Sequence, residues 1–213
     1  MAFLEREQNI VELVVSKVHA LFALCPDDAH GFDHAERVAG YAAYIAHHEG
    51  KNMFMSTLAG WLHDIGRAIE EYPEQFPTYN AKKTHHELSY ELLQQWFRED
   101  EQFFIFSDEE KLELLYDLRN HWNDEADKYD SAYILRDADK IDGLGEIGLQ
   151  RHFAHHEHDT KKEAHLDIRL RYEWIYHFKT KTAKKMCEKQ HLIDPIEAER
   201  TRLLTADIKP VEL

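Results

Sequence analysis

Cysteine is scarce in this chain. Cys25 and Cys187 are the only two in 213 residues, they lie far apart, and neither fits a metal or redox spacing, which excludes a disulfide framework. Two reduced structural thiols are expected. Long apolar runs are also missing. Hydrophobic residues make up 43% of the chain, yet no segment is apolar for long enough to span a membrane. Near the start, Glu5, Arg6, Glu7 and Glu12 interrupt any apolar core, and no small-residue cleavage site follows. This does not read as a signal peptide, so the cytoplasm is expected. Basic charge is in deficit, 26 residues against 41 acidic ones, for a net charge of −15. No general positive field would draw in duplex DNA. A small anionic partner stays open, because a metal and a few basic side chains can override the global field locally. Strand alternation, internal repeats and low-complexity linkers are absent too.

What is present is helical spacing. Ile10, Leu13, Val14, Val18, Leu21 and Phe22 predict a helix from about Phe3 to Leu24. A second should run from about Asp33 to His48 and a third from about Met53 to Arg67, with a turn at Glu49–Asn52 between them. Pro73 and Pro77 mark a loop. Thr84 with Glu87, and Ser107 with Glu110, each spell a capping box. They predict helices through about Phe97 and about His121. A helix over Asp130–Ile141, a long one over about Glu163–Lys189 and a short one near Ile196–Leu203 complete the pattern. The expectation is all-α: one helical bundle over residues 1–213, with a possible homodimer left open.

Histidine is abundant, at 16 residues, and each needs its own argument. His63-Asp64 ends the apolar run Ser56–Leu62, His34 lies upstream, and Asp139 lies far downstream in Leu135–Asp142. Taken singly, His34 reads as a helix cap or a surface residue. Two imidazoles and two carboxylates arriving from separate helices instead make a mixed nitrogen/oxygen site. Such a set suits Mn, Fe, Mg, Co, Ni or Zn. Antiparallel packing of the second and third helices would bring His34 and His63 together.

The order His34…His63-Asp64…Asp139 resembles the HD superfamily of metal-dependent phosphohydrolases, closest to its small bacterial single-domain members. His63-Asp64-Ile65-Gly66-Arg67 is similar to the H-D-[IL]-G-[KR] consensus, and Asp137–Gly148 to D-A-D-x-[IL]-D-x-[IL]-G-x-x-G. The likeness spans about Ala29 to Arg151, followed by a C-terminal helical extension in which Phe178-Lys179 and Thr182-Ala183-Lys184 match faintly. It implies a helical bundle of the HD-domain type with one divalent ion on His34, His63, Asp64 and Asp139. It also implies Asp64, Arg67 and Lys140 as catalytic residues. His85, with its neighbour His86, and His121 match positions that hold a second ion in two-metal members, with Asp64 bridging. The alternative is that they bind phosphate beside a single ion, and one ion is favoured over two. His30, Arg37 and Arg151 are substrate-binding candidates, although Arg37 serves equally as a plain ion pair, Arg67 as a helix C-cap and Asp33 as a helix cap.

The resemblance implies metal-activated water attacking phosphorus in a small phosphorylated compound. A nucleotide is expected, through pyrophosphohydrolase or nucleotidase activity. The alternatives are a cyclic nucleotide or alarmone phosphodiesterase with two metals, and a non-catalytic metal- or nucleotide-binding module. Trp122–Glu125 follow His121 where the diesterase branch carries D-G-x-G-Y-P. Glu70 and Glu71 are acid–base candidates, though a solvated pair is the simpler reading. Gly143–Gly148 spell G-x-G-x-x-G, but without a preceding strand they read as turn residues beside Asp139. His152, His155, His156 and His158, with Glu157 and Asp159, read as a solvated helix end. The aromatic stripe Tyr172–Phe178 reads as core, and Lys179, Lys181, Lys184 and Lys185 as a solvated face.

Overall fold

Ile10, Val14, Val18 and Phe22 recur at helical spacing on α1 (Glu5–Leu24) and form one buried stripe. Burying each such side chain contributes roughly 1.5–3 kcal/mol. The stripe packs on α3 (Met53–Leu62), whose residues from Phe54 to Leu62 are all buried. A helix that is apolar all round belongs at the centre of a bundle, and α3 takes that place in this computed structural model. The structure describes residues 3–27, 29–156 and 161–206. Small residues Ala35, Ala39, Ala42 and Ala46 let α2 (Phe32–Glu49) lie close along α3. The start of α2 thereby meets the end of α3.

After α3 come a short α4 (Arg67–Glu71), then α5 (His85–Glu99) and α6 (Asp108–Asn120). The two expected capping boxes open α5 and α6. Thr84 N–H donates to Glu87 Oε2 at 3.1 Å, and Ser107 N–H donates to Glu110 Oε2 at 2.7 Å. Next, α7 (Asp130–Asp142) packs on both α2 and α3. The chain continues through α8 (Gly145–His155), α9 (Lys161–Glu173), α10 (Lys181–Lys189) and α11 (Asp194–Ala206). Among the described residues there is no strand, so the fold is all-α. No helix among them is long and apolar enough to cross a membrane. Cys25 and Cys187 are free and buried.

Three elements differ from the spacing-based expectation. The third helix stops at Leu62 rather than Arg67, and His63–Gly66 form a turn. Gly66 sets that turn: a Cβ there would lie 2.1 Å from the His85 carbonyl oxygen, and its N–H donates to Ser89 Oγ at 2.8 Å. The long helix over 163–189 is broken into α9, a 3-10 turn at Trp174–Tyr176, and α10. The cause is long-range. Buried Asp137 accepts from Lys179 N–H at 3.0 Å, Thr180 N–H at 2.7 Å and Thr180 Oγ1 at 2.7 Å, which fixes a new helix start. An additional helix, α8, begins at Gly145, whose φ of +67° favours glycine. The G-x-G-x-x-G run therefore joins two helices, without the strand a dinucleotide fingerprint needs.

In the histidine cluster His155 is exposed, as a solvated end would have it, but His152 and His156 are not. His152 is only 2% exposed, and its Nδ1 hydrogen-bonds Asp167 Oδ2 at 2.7 Å. The same carboxylate accepts from Arg171 Nε at 2.6 Å and lies 3.3 Å from His156 Nε2. A carboxylate held by a guanidinium and an imidazole can be buried. Glu157, His158 and Asp159 lie outside the described residues.

Candidate metal centre and cleft

His34 sits in the first turn of α2, His63 and Asp64 in the turn after α3, and Asp139 in the last turn of α7. Packing of these three ends together brings the side chains into one cluster. His34 Nε2 lies 3.1 Å from His63 Nε2, 3.6 Å from Asp139 Oδ1 and 3.7 Å from Asp64 Oδ2. His85, at the start of α5, and His121, just past α6, form a second group on the other oxygen of Asp64. Their Nε2 atoms lie 3.6 and 3.7 Å from Asp64 Oδ1 and 3.3 Å from one another.

The ring tautomers decide what this arrangement can do. His63 Nδ1–H donates to the Gly60 carbonyl at 2.9 Å, and His121 Nδ1–H to the Leu118 carbonyl at 2.8 Å. His34 Nδ1–H donates to Asp142 Oδ2 at 2.7 Å. A carbonyl or carboxylate cannot donate, so the proton of each neutral ring is on Nδ1 and Nε2 carries a lone pair. Burial first, and then Arg151, push His34 down to about 4. Burial likewise takes His121 to about 4 and His85 to about 2. Lone pairs thus face each other across 3.1 Å beside carboxylates, an arrangement that a cation resolves. Burial opposes ionisation of Asp64, but its neighbours outweigh it, the permanently charged Arg67 among them, and hold its carboxyl well below the usual range. Its buried Oδ1 has no hydrogen-bond partner. His34, His63 and Asp139, and separately Asp64, His85 and His121, each bring three donor atoms within 4.8 Å. A mixed imidazole and carboxylate set of this kind fits a divalent first-row ion.

Asp142 was not singled out by residue type or spacing alone, yet it organises the first group. Its side chain is fully buried, and besides His34 it accepts from Arg37 Nε at 2.6 Å, Arg37 Nη2 at 3.1 Å and Arg151 Nη1 at 2.9 Å. Its place three residues after Asp139, on the same helix face, was the available signal. Two substrate-binding candidates, Arg37 and Arg151, are thereby tied to Asp142. Arg37 lines a separate groove of about 570 Å³ rather than the metal-side cleft. Arg151 donates Nε to the Ala29 carbonyl at 2.6 Å and brings Nη2 within 3.4 Å of His34 Nε2. It works as a brace and leaves one edge on the cleft.

The cleft has a volume of about 320 Å³ and contains Asp64, Asp139, His85 and His121. Arg67, Lys140 and His30 line it too. Arg67 donates Nη1 to Glu70 Oε2 at 2.8 Å, while its buried Nε, 3.8 Å from Asp64 Oδ2, has no hydrogen-bond partner. Lys140 pairs with Asp124. His30 packs edge-on against His155, with ring centroids 5.1 Å apart. His86 does not join its neighbour: its Nε2 is hydrogen-bonded to Thr84 Oγ1 at 2.8 Å, and its ring lies against Trp122. Trp122, Trp174 and His155 line the cleft without having been expected there. They come from segments that helical spacing assigns to core or solvent.

The HD domain profile matches residues 31–144 of this chain, which takes in both donor groups. Bacillus subtilis YpgQ, solved in complex with ADP, superposes with a TM-score of 0.66 at 18% identity, covering 98% of this chain and 100% of that one. A predicted HD superfamily hydrolase from an uncultured Thermotogales bacterium gives 0.61 at 23% identity, covering 92% and 91%. An HD-superfamily hydrolase from Bacillus thuringiensis gives 0.65 at 18% identity, covering 94% and 100%. At these identities the likeness is one of fold. No curated protein matches. With the profile spanning over half of the chain and enclosing the clustered histidines and aspartates, the chain belongs to the HD domain family and is a metal-dependent phosphohydrolase of that family.

Proposed function

We propose that the chain hydrolyses a small phosphorylated compound, a nucleotide, and that His34, His63 and Asp139 on one side of Asp64, and His85 and His121 on the other, would hold the divalent metal that the chemistry needs, two ions rather than one. One observation carries the pair: imidazole Nε2 atoms face the two different oxygens of one buried carboxylate, His34 and His63 on Oδ2, His85 and His121 on Oδ1. On the family resemblance one ion is favoured over two, whereas two groups of three donors each support two. A divalent ion in such a site acidifies bound water and neutralises phosphoryl oxygens.

The chain's own groups have definable tasks. The unpartnered Nε of Arg67 faces Asp64 at the cleft, where a guanidinium can take a phosphoryl oxygen. Glu70 positions Arg67 through its 2.8 Å bond, so it serves as an orienting residue rather than a general base. Glu71 is exposed and does not line the cleft. Lys140, held by Asp124, adds positive charge at the rim. A nucleotide is supported by the ADP bound to the similar B. subtilis protein and by a cleft of ligand size. The paired donor sets also suit a diesterase, which the test must include.

The test is incubation with Mn and a panel of nucleoside mono- and triphosphates, cyclic nucleotides and alarmones, with products separated by chromatography. Pyrophosphate release from triphosphates, or orthophosphate release from monophosphates, abolished in Asp64→Ala, is the expected outcome. Equal inertness of both proteins across the panel and several metals would overturn the reading.

A further inference from the structure

The cleft is polar almost throughout. Apart from Trp122 and Trp174, every residue lining it is charged, a histidine, or Gly143. The two rings differ in what already covers them. Trp174 packs against the core, and the Arg171 guanidinium lies 5.2 Å from its ring centroid. Trp122, in the turn after α6, stands 62% exposed. One side of it rests on His86, with centroids 5.6 Å apart and planes inclined by 31°. His86 is in turn tied to Thr84, the residue that caps α5, by the 2.8 Å hydrogen bond. The ring is therefore propped in place next to His121 of the second donor set, and it lines the cleft while remaining largely exposed. An exposed aromatic ring in the wall of a polar ligand cleft offers a π-face on which another ring can stack.

We propose that Trp122 is the stacking platform for the aromatic base of the substrate. This rests on the nucleotide phosphohydrolase reading above and adds the group that holds the base. It also sets the selectivity. Stacking serves every base, because each has a π-face, so the enzyme tolerates base identity and discriminates against phosphates without an aromatic ring. His86 acts as a positioning residue for the platform rather than as a metal ligand.

The experiment compares wild type with Trp122→Leu and Trp122→Phe in the Mn-loaded protein. Steady-state kinetics would be run on the adenosine, guanosine, cytidine and uridine triphosphates and on inorganic tripolyphosphate, and ADP binding would be measured by calorimetry. Trp122→Leu should raise KM for the nucleotides and Kd for ADP by roughly ten- to a hundredfold, and Trp122→Phe should recover most of both. The four wild-type kcat/KM values should agree within about tenfold and exceed that for tripolyphosphate. If wild type hydrolyses nucleotides while Trp122→Leu keeps the same KM and Kd, the platform is refuted and the phosphohydrolase reading stands. A fall in kcat alone, not recovered by phenylalanine, refutes it as well. Hydrolysis of tripolyphosphate but of no nucleotide overturns the substrate class. Inertness on every phosphate removes the parent reading together with this one.

Discussion

Asp142→Asn removes the charge on which four hydrogen bonds converge, from His34, Arg37 twice and Arg151. The amide oxygen can replace one acceptor, but its NH2 group must then face a donor. Arg37 is 29% exposed, so water screens its share, whereas the Arg151 side chain is only 8% exposed and loses its buried counter-charge. Breaking a buried pair from one side costs about 3–5 kcal/mol, and screening at Arg37 places this case near the lower end. For a domain of this size that corresponds to a fall in Tm of about 6–12 °C. The second effect is on His34, which no longer has a carboxylate to fix its Nδ1 proton. Loss of such an orienting partner weakens metal binding by about 10- to 100-fold. Calorimetric Mn titration and thermal unfolding of the variant read the two effects separately. A Tm within about 2 °C of wild type together with unchanged Mn affinity would refute the argument that Asp142 ties α2 and α8 to the metal site.

Gly66→Ala places a Cβ against the His85 carbonyl and the Ser89 amide. It should push α5 outward and lower the bound Mn from two ions to one, measured by equilibrium dialysis. Asp137→Ala releases the start of α10 and should lower stability by about 2–3 kcal/mol, with faster amide exchange at Ala183 and Lys184 than elsewhere. Asp117 is buried with both oxygens lacking a partner, and burial, with Glu113 adding, raises its carboxyl well above the ordinary value. Its folded form is protonated where the unfolded form is ionised, so stability falls as pH rises above the unfolded value and until the folded one is passed. Urea melts from pH 4 to 8 should show wild type losing up to about 1.4 kcal/mol per pH unit relative to Asp117→Asn.

Much of the fold was legible because its signals are local. Both capping boxes, the α1 stripe and the turn at Gly50 depend on residues within a few positions of each other. His34, His63, Asp64 and Asp139 were legible through their order and apolar settings, and in the folded chain His34 Nε2 lies within 4.0 Å of the other three side chains. What escaped depends on distant contacts. No periodicity in 163–189 reveals that Asp137 interrupts the helix there, since the bonds span 42 and 43 residues. The bonds that tie Arg37 and Arg151 to Asp142, 105 and 9 residues away, have no local signal either. His152 looked solvated among charged neighbours until α9 supplied Asp167 and Arg171. Trp122 carries no pattern of its own, and its place at the cleft follows from where α6 ends.

Whether Asp64 joins two donor sets is read most directly from Mn stoichiometry with electron paramagnetic resonance of the saturated protein. Two ions per chain with an exchange-coupled signal are predicted, His85→Ala keeping one uncoupled ion and Asp64→Ala losing the coupling altogether. A single uncoupled ion in wild type, bound with the same affinity after His85→Ala, would contradict the account.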